Sequence, residues 1–211
     1  MNEQKSFFIT FEGGEGAGKT TVINQLLNDY DTKTIVATRE PGGIPLAEKI
    51  RSLILNRDHV QMHEKTEALL YAAARSQHYY EKIQPALEEG KTVFCDRFID
   101  SSLAYQGFAR GIGMKEILSI NEFAVTEGMP DLTLFFDIEP RDALRRIQID
   151  QSREINRFDV ETIDFHNKVR AGYHQLLELY PDRIVKIDAA QPLSEVVAMS
   201  MTHIDRLFRS A

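Results

Sequence analysis

The sequence has few of the features that mark secreted, membrane or nucleic-acid-binding proteins. Its single cysteine, Cys95, excludes an internal disulfide and is compatible with a reducing compartment. No apolar stretch reaches the roughly 18 residues of a membrane helix, and the early run FFITF is too short for a signal peptide core. The formal charge of -7 argues against general nucleic-acid binding, which depends on basic groups. We therefore expect a cytoplasmic protein without a membrane or nucleic-acid partner.

Apolar runs alternate with longer helical patterns along the 211 residues, which suffice for one sizeable core. We expect a single domain over residues 1–211. The helical spacing covers Ile44–Leu55, Lys65–Leu87 and Lys115–Glu127. The apolar runs are SFFITFE, KTIVAT, KTVFCD, DLTLFFD and RIVKID. Strands that alternate with helices pair in parallel through right-handed crossovers. The pattern predicts a doubly wound α/β sheet with helices on both faces.

The stretch FEGGEGAGKTT fits the phosphate-binding pattern G-x-x-x-x-G-K-[ST] through Gly13, Gly18, Lys19 and Thr20. It follows an apolar run and precedes a helical one, as a P-loop requires. Backbone N–H groups of such a loop point at an anion, and the helix adds its positive dipole end. We expect Lys19 to reach the β- and γ-phosphates of ATP and the Thr20 hydroxyl to bind Mg²⁺. The predicted ATP-binding residues are Gly13, Gly14, Glu15, Gly16, Ala17, Gly18, Lys19, Thr20 and Thr21.

Two acidic residues bear on the same loop. Asp96 ends the run TVFCD, where an acid beside the P-loop can orient a magnesium shell, so Thr20 and Asp96 are the predicted metal residues. Glu15 lies inside the loop, where a carboxylate facing phosphates would be repelled. A magnesium or sugar-hydroxyl role therefore suits Glu15 better than direct phosphate contact. The N-K-x-D and D-x-x-G motifs of GTP-dependent switches are absent from the sequence.

Two further stretches indicate an acceptor site next to the phosphate loop. TREPGG follows the second predicted strand, and DRFIDSSLAYQG begins at the end of the third. In a doubly wound sheet both open on the same edge as the P-loop, because ligands bind beyond the C-terminal ends of the strands. We therefore expect three loops around one cleft.

The P-loop, TREPGG, TEALLYAAARSQH and DRFIDSSLAYQG occur in this order, and with them the chain resembles thymidylate kinases over nearly its whole length. The resemblance implies a P-loop NTPase fold with a five-stranded parallel sheet. It implies transfer of the γ-phosphoryl group of ATP to dTMP, giving dTDP for dTTP biosynthesis, with Mg²⁺. It also implies a homodimer, with an interface that we place around Ile44–Leu55 and Lys65–Leu87.

The resemblance assigns residues to the dTMP base and sugar. Tyr71, at a position where relatives commonly have phenylalanine, stacks on thymine, and Arg75 one turn later hydrogen-bonds the base. Ser102 and Gln106 face the hydrogen-bonding edge of the base, and Tyr105 packs against the sugar. The predicted dTMP-binding residues are Glu40, Arg51, Tyr71, Arg75, Arg97, Ser101, Ser102, Tyr105 and Gln106. Core packing for Tyr71, an ion pair for Arg75 and helix capping for Ser101 and Ser102 are the structural alternatives.

Arginines around the acceptor phosphate of dTMP follow from the same resemblance. Arg39, Arg51 and Arg97 correspond to family arginines at the dTMP phosphate, with Glu40 on the magnesium side. Pairing of Arg97 with Asp96 or Asp100 is the structural alternative for that residue.

The arginine-rich segment at about 141–157 corresponds to a lid. We expect Arg153 to reach the transferring phosphoryl group, with Arg157 and Arg146 as further candidates. A solvated helix face is the alternative for the segment. Lys19, Arg97, Arg153 and Glu15 form the predicted catalytic set.

Two other functions stay open from the sequence. One is a kinase for another nucleoside monophosphate or for a deoxynucleoside, which shares the P-loop and lid but lacks the combined TREPGG and SSLAYQG pattern. The other is a non-catalytic nucleotide-binding regulator, against which the intact Lys19, Thr20, Asp96 and lid arginines weigh. Turnover assays with different acceptors separate the three.

Overall fold

The computed structural model describes residues 5–59, 61–126, 128–149 and 156–210. Across these residues, five parallel strands form one sheet in the order β2-β3-β1-β4-β5. The strands are β1 (Phe8–Glu12), β2 (Ile35–Arg39), β3 (Thr92–Asp96), β4 (Leu132–Asp137) and β5 (Ile184–Asp188). Each lies within a predicted apolar run, except that β2 continues one residue beyond KTIVAT to Arg39. The parallel sheet predicted from the sequence is confirmed.

Helices return the chain between the strands and bear out the predicted helical segments, with small changes at their ends. The helices are α1 (Lys19–Asp29), α2 (Pro45–Leu55), α3 (Glu64–His78), α4 (Gln84–Glu88), α5 (Ile99–Ser102), α6 (Met114–Ala124), α7 (Pro140–Ile149), α8 (Ile163–Leu179) and α9 (Leu193–Arg209). The predicted segment Lys65–Leu87 contains a π-helical turn at Tyr79–Ile83 between α3 and α4. A second π-helical segment, Leu103–Ala109, follows α5.

Both faces of the sheet are covered, because side chains alternate across each strand. On one face Phe8, Cys95 and Phe135 join the core with helices α3, α6 and α8. On the other face Phe11 and Phe136 join the core with α1 and α9. Cys95 is fully buried, as an apolar packing residue would be. The fold is thus doubly wound, with helices on both faces as predicted.

The register brings the ends of three strands together. Phe11 pairs with Asp96 between β1 and β3, and Arg39 pairs with Asp96 between β2 and β3. The P-loop, TREPGG and the segment after Asp96 therefore leave the sheet at the same edge. Within the described ranges, no helix is both long and apolar enough to cross a membrane.

Candidate active site

A cleft of about 1140 Å³ opens at the C-terminal edge of the sheet. The P-loop, the TREPGG stretch and the segment after Asp96 all contribute to its wall. The predicted site residues that line it are Glu15, Gly16, Ala17, Gly18, Lys19, Thr20, Thr21, Glu40, Arg51, Tyr71, Asp96, Arg97, Ser101, Ser102, Tyr105 and Gln106. Arg39 lines it as well. One cavity of nucleotide-binding size therefore collects most of the residues predicted to bind phosphate and acceptor.

The P-loop connects β1 to α1 through glycines in conformations that other residues rarely adopt. Gly16 and Gly18 have φ angles of 73° and 86°. A Cβ atom on Gly16 would lie 2.4 Å from the backbone oxygen of Ala143 in α7, so space also requires glycine there. Helix α1 begins directly at Lys19, and its unpaired first N–H groups border the loop. This is the backbone geometry of an anion-binding loop.

Lys19 lies folded over the loop it follows. Its Nζ donates to the backbone oxygens of Gly13 and Gly14 at 3.2 and 2.9 Å. Gly13 and Gly14 thus act through their backbone rather than as part of the cleft wall. Burial, followed by the positive charge of Arg97, lowers the pKa of Lys19 to about 8. Anionic phosphate in the loop would oppose both effects and favour the charged ammonium.

The two predicted metal residues, Thr20 and Asp96, contact each other beside the loop. The Thr20 hydroxyl donates to Oδ2 of Asp96 at 2.5 Å. Asp96 is the last residue of β3, which lies beside β1 in the sheet. A hydroxyl and a carboxylate give the oxygen donors that Mg²⁺ prefers, with its other positions left to water and phosphate oxygens. The chemistry of the donor set therefore fits magnesium.

Arg97 follows directly and has a φ of 71°, the conformation that favours glycine. Its guanidinium donates to the Gly13 backbone oxygen at 2.9 Å, to Ser101 Oγ at 3.1 Å and to Glu15 Oε1 at 2.8 Å. Its carboxylate partner is thus Glu15, whereas Asp100 pairs with Arg183. The Arg97 guanidinium also lies 5.1 Å from the centre of the Tyr105 ring. These contacts fix the cation at the junction of the P-loop and the acceptor side of the cleft.

Glu12 supports this junction through buried hydrogen bonds, and it was not among the predicted site residues. It is fully buried and accepts from the Phe98 N–H at 2.6 Å, from Ser101 Oγ at 2.5 Å and from Tyr173 Oη at 2.8 Å. Burial, followed by the negative charge of Asp100, raises the pKa of Glu12 to about 7. Its position at the polar end of an apolar strand run was the sequence signal, since a buried strand rarely ends in an unpartnered carboxylate.

Aromatic and polar side chains line the acceptor side. The Tyr71 ring lies 6.4 Å from the Phe158 ring, and burial raises the pKa of Tyr71, so its phenol stays protonated. Tyr105 Oη donates to Glu15 Oε1 at 3.3 Å, which places that carboxylate toward the acceptor side. Ser102 Oγ is buried and has no hydrogen-bond partner among the described residues. These groups surround space in which a planar base and a sugar can lie.

Two arginines, Arg39 and Arg51, line the cleft at the TREPGG side. Arg51 in α2 donates to the Pro41 backbone oxygen at 2.9 Å. Burial, followed by the charge of Arg39, lowers the pKa of Arg51, although the negative charge of Glu48 opposes this shift. Arg39 is half exposed and pairs with Glu48 at 2.9 Å. A phosphate bound here would meet at least two guanidinium groups.

Arg75 does not line the cleft. It is buried, and it donates to Glu40 Oε2 at 2.8 Å, to the Phe98 backbone oxygen at 3.0 Å and to Asn121 Oδ1. Glu40 is itself buried and also contacts His78 at 3.0 Å. The ion pair considered as an alternative for Arg75 is thus present, but it is buried behind the cleft. A hydrogen bond from Arg75 to the base stays a prediction.

The three candidate lid arginines differ in position. Arg153 lies outside the described residues. Arg146 in α7 is exposed and lines the cleft. Arg157 is buried, where it donates to the Ile54 backbone oxygen at 3.1 Å and to Glu67 Oε2 at 2.5 Å. Of the two further candidates, Arg146 is thus placed in the cleft wall and Arg157 is engaged elsewhere.

Other residues around the site were missed by the sequence reasoning. Glu67 and Tyr173 hold polar groups of the cleft, and Asn121 holds Arg75. Glu67 was detectable, because it lies four residues before Tyr71 on the same helix face. Tyr173 and Asn121 gave no such signal, since they reach the site from distant helices.

The parallel sheet, the glycine loop and the Lys19, Thr20 and Asp96 side chains define a P-loop NTPase fold. Comparison with known proteins narrows this class. The family model for thymidylate kinase matches residues 11–199. A thymidylate kinase of Halalkalibacterium halodurans is 59% identical over 197 residues, covering 92% of this chain and 93% of the relative. One from Clostridium novyi is 57% identical, covering 91% and 95%. The chain belongs to the thymidylate kinase family.

A solved structure gives the same result at the level of the fold. The crystal structure of thymidylate kinase from Ehrlichia chaffeensis superposes with a TM-score of 0.74 at 30% identity, covering 94% of this chain and 98% of that one. Phosphorylation of dTMP with ATP, predicted from the sequence motifs, is therefore supported by relatives over most of the chain. The matching relatives do not support the two alternatives, a kinase for another acceptor and a non-catalytic regulator.

Proposed function

We propose that the cleft holds ATP and dTMP end to end, with the phosphates of both meeting between Lys19 and Arg97. The observation that carries this proposal is the composition of one continuous wall. The P-loop contributes Lys19 and Thr20 to this wall, Arg51 and Arg97 contribute guanidinium groups, and Tyr71 contributes an aromatic ring. A phosphate loop, a cationic middle and an aromatic end match the sequence of groups in the two substrates.

In this arrangement an oxygen of the dTMP phosphate attacks the γ-phosphorus of ATP and ADP leaves, so the protein needs no covalent intermediate. Phosphoryl transfer passes through a loose transition state, so catalysis consists of positioning and charge stabilisation. Lys19 binds the β- and γ-phosphates of ATP, while Arg51 and Arg97 hold the dTMP phosphate in line. Glu15, paired with Arg97 and Tyr105, accepts a hydrogen bond from a sugar hydroxyl. Tyr71 stacks on the base.

Thr20 and Asp96 would hold Mg²⁺, whose charge neutralises the phosphate oxygens of bound ATP. Their 2.5 Å contact supports this assignment, because both oxygens already converge on one point beside the loop. The segment at about 141–157 is proposed as a lid of the single domain, with Arg153 as its phosphate-binding arginine. The P-loop residues Glu15, Gly16 and Ala17 include no arginine that could supply this charge.

We also propose that the protein is a cytoplasmic homodimer. Large apolar side chains are exposed on three adjoining helices, namely Leu46 and Leu53 on α2, Leu69 on α3 and Phe123 on α6. Phe123 is 92% exposed, an unusual state for a phenylalanine of a monomer. A second copy of the chain covering this surface would bury these side chains.

The acceptor assignment is tested by steady-state kinetics of Arg51→Lys and Arg97→Lys, with Arg206→Lys on α9 as the control. Lysine keeps the charge but loses the forked geometry of guanidinium. The two cleft variants should raise the KM for dTMP about tenfold or more, for a loss of roughly 1.4 kcal/mol, and leave the KM for ATP within about twofold. A rise in the ATP KM alone would place these arginines on the donor instead.

A further inference from the structure

A buried carboxylate fixes which end of the Gln106 amide faces the cleft. Gln106 lies in the π-helical segment Leu103–Ala109, and its Nε2 donates to Glu67 Oε1 at 2.8 Å. An ionised carboxylate accepts hydrogen bonds and cannot donate them. The amide nitrogen must therefore face Glu67, so Oε1 is the amide atom of Gln106 that can accept from a ligand in the cleft this residue lines.

The surroundings of Glu67 keep it an acceptor. Glu67 is 1% exposed, and the Arg157 guanidinium donates to its Oε2 at 2.5 Å. The Arg110 guanidinium lies 3.5 Å from its Oε1. Both cations balance the negative charge of Glu67, and neither can accept a hydrogen bond from Gln106. Glu67 is thus the acceptor that holds the amide nitrogen of Gln106.

We infer that Glu67 is a positioning residue that sets base specificity, because it makes Gln106 an obligatory acceptor toward the substrate. This inference rests on the proposed placement of the base beside Tyr71 and Gln106. Thymine and uracil carry a hydrogen on N3 and can donate to Gln106 Oε1. Cytosine has a lone pair on N3, so two acceptors would face each other.

Rotation of the Gln106 amide does not make the site favourable for cytosine, because Glu67 requires the amide nitrogen. Turning Gln106 by half a turn would offer its NH₂ group to the cytosine N3, but it would place Oε1 against the Glu67 carboxylate. Either orientation therefore leaves one pair of acceptors in contact inside a buried site. Sites that hydrogen-bond a substrate group reject analogues lacking it by roughly 10⁴- to 10⁵-fold. By fixing the orientation of Gln106, Glu67 supplies a part of the discrimination between thymine and cytosine.

Glu67→Gln tests the inference, because a glutamine at this position can offer either oxygen or nitrogen to Gln106. The measured quantity is the ratio of kcat/KM for dTMP to that for dCMP, which does not depend on the fraction of enzyme that is folded. We expect this ratio to fall about tenfold or more, from loss of one hydrogen-bond constraint. The ratio of dTMP to dUMP should stay unchanged, since both bases carry the N3 hydrogen.

Glu81→Gln is the matched control. Gln77 Nε2 donates to Glu81 Oε2 at 2.8 Å, the same chemistry on an exposed surface. The dTMP to dCMP ratio of this control should equal that of the unmodified protein. An equal fall in both variants would overturn the inference. So would an unchanged ratio in Glu67→Gln, or a loss of activity shared equally by dTMP and dCMP, which is what a purely structural role predicts.

Two further variants keep the test decisive. If Glu67→Gln does not fold, Glu67→Gln combined with Arg157→Met removes both charges of the buried pair and is expected to show the same fall in ratio. Gln106→Leu examines the base placement itself and should impair dTMP use. Normal dTMP use by Gln106→Leu would refute the proposed base site, and the inference with it. Impaired use by Gln106→Leu with an unchanged ratio in Glu67→Gln would refute the inference alone.

Discussion

Replacing Tyr173 by phenylalanine removes one hydroxyl from the buried network beneath Arg97. That hydroxyl donates to Glu12 Oε2 at 2.8 Å and lies 2.9 Å from Ser101 Oγ. The ring itself stays supported, because it stacks on Phe135 with ring centres 5.0 Å apart. The variant therefore removes a hydrogen bond and little packing. Since Ser101 also accepts from Arg97, the loss should reach the guanidinium that we place at the dTMP phosphate.

The cost follows from the charge state of Glu12. A hydrogen bond to a charged group contributes about 1.5–3 kcal/mol, against about 1 kcal/mol between neutral groups. Burial raises the pKa of Glu12 to about 7, so the carboxylate is largely ionised at about pH 8 and largely protonated at about pH 6. Tyr173→Phe should therefore lower the free energy of unfolding by about 1.5–3 kcal/mol at the higher pH and by about 1 kcal/mol at the lower pH.

Urea unfolding at both pH values measures this difference, and kinetics with dTMP should show a raised KM in Tyr173→Phe. Tyr30→Phe is the matched control, because the Tyr30 hydroxyl also donates to a carboxylate, Asp205, at 2.8 Å but far from the cleft. This control should lose stability without a change in the KM for dTMP. Equal losses for Tyr173→Phe at both pH values, or an unchanged KM for dTMP, would refute the reasoning.

The remaining predictions concern the phosphate loop, the buried acid and the exposed helix faces. Lys19→Ala should abolish phosphoryl transfer, measured as ADP formation. Normal turnover by this variant would refute the P-loop assignment. Glu12 binds a proton more tightly when folded than when unfolded, so unfolding free energy should fall as pH rises from about 4.5 to about 7, by up to about 3 kcal/mol. Urea unfolding of Glu12→Gln should lack this slope, and an identical slope would exclude Glu12 as its source. Phe123→Glu should shift the protein to monomers in sedimentation velocity, and an unaltered mass would place any interface elsewhere.

The strands and the phosphate loop were predictable because their signals are local. A buried parallel strand needs a continuous apolar run, and the run TVFCD ends at the residue where β3 ends. The P-loop needs glycines at fixed spacing, and Gly13 and Gly18, which have that spacing, both have positive φ angles. Once parallel strands alternate with helices, the common edge of their loops follows from topology.

The polar contacts behind the cleft were not predictable, because they join residues distant in the sequence. Glu67 and Gln106 are 39 positions apart, and Glu12 and Tyr173 are 161 apart. The helical spacing correctly placed Tyr71 and Arg75 on one helix. Spacing on one helix does not determine which neighbouring element supplies the partner, and Arg75 found Glu40 and Asn121 behind the cleft. Partner choice is a property of packing between elements, which a single sequence does not display.

A crystal structure of the protein with dTMP bound tests the proposed site most directly. We predict that the thymine ring stacks on Tyr71, that its N3 lies within hydrogen-bonding distance of Gln106 Oε1, and that the dTMP phosphate lies between Arg51 and Arg97. A base bound away from Tyr71, or a dTMP phosphate lying in the P-loop at Lys19, would contradict this prediction.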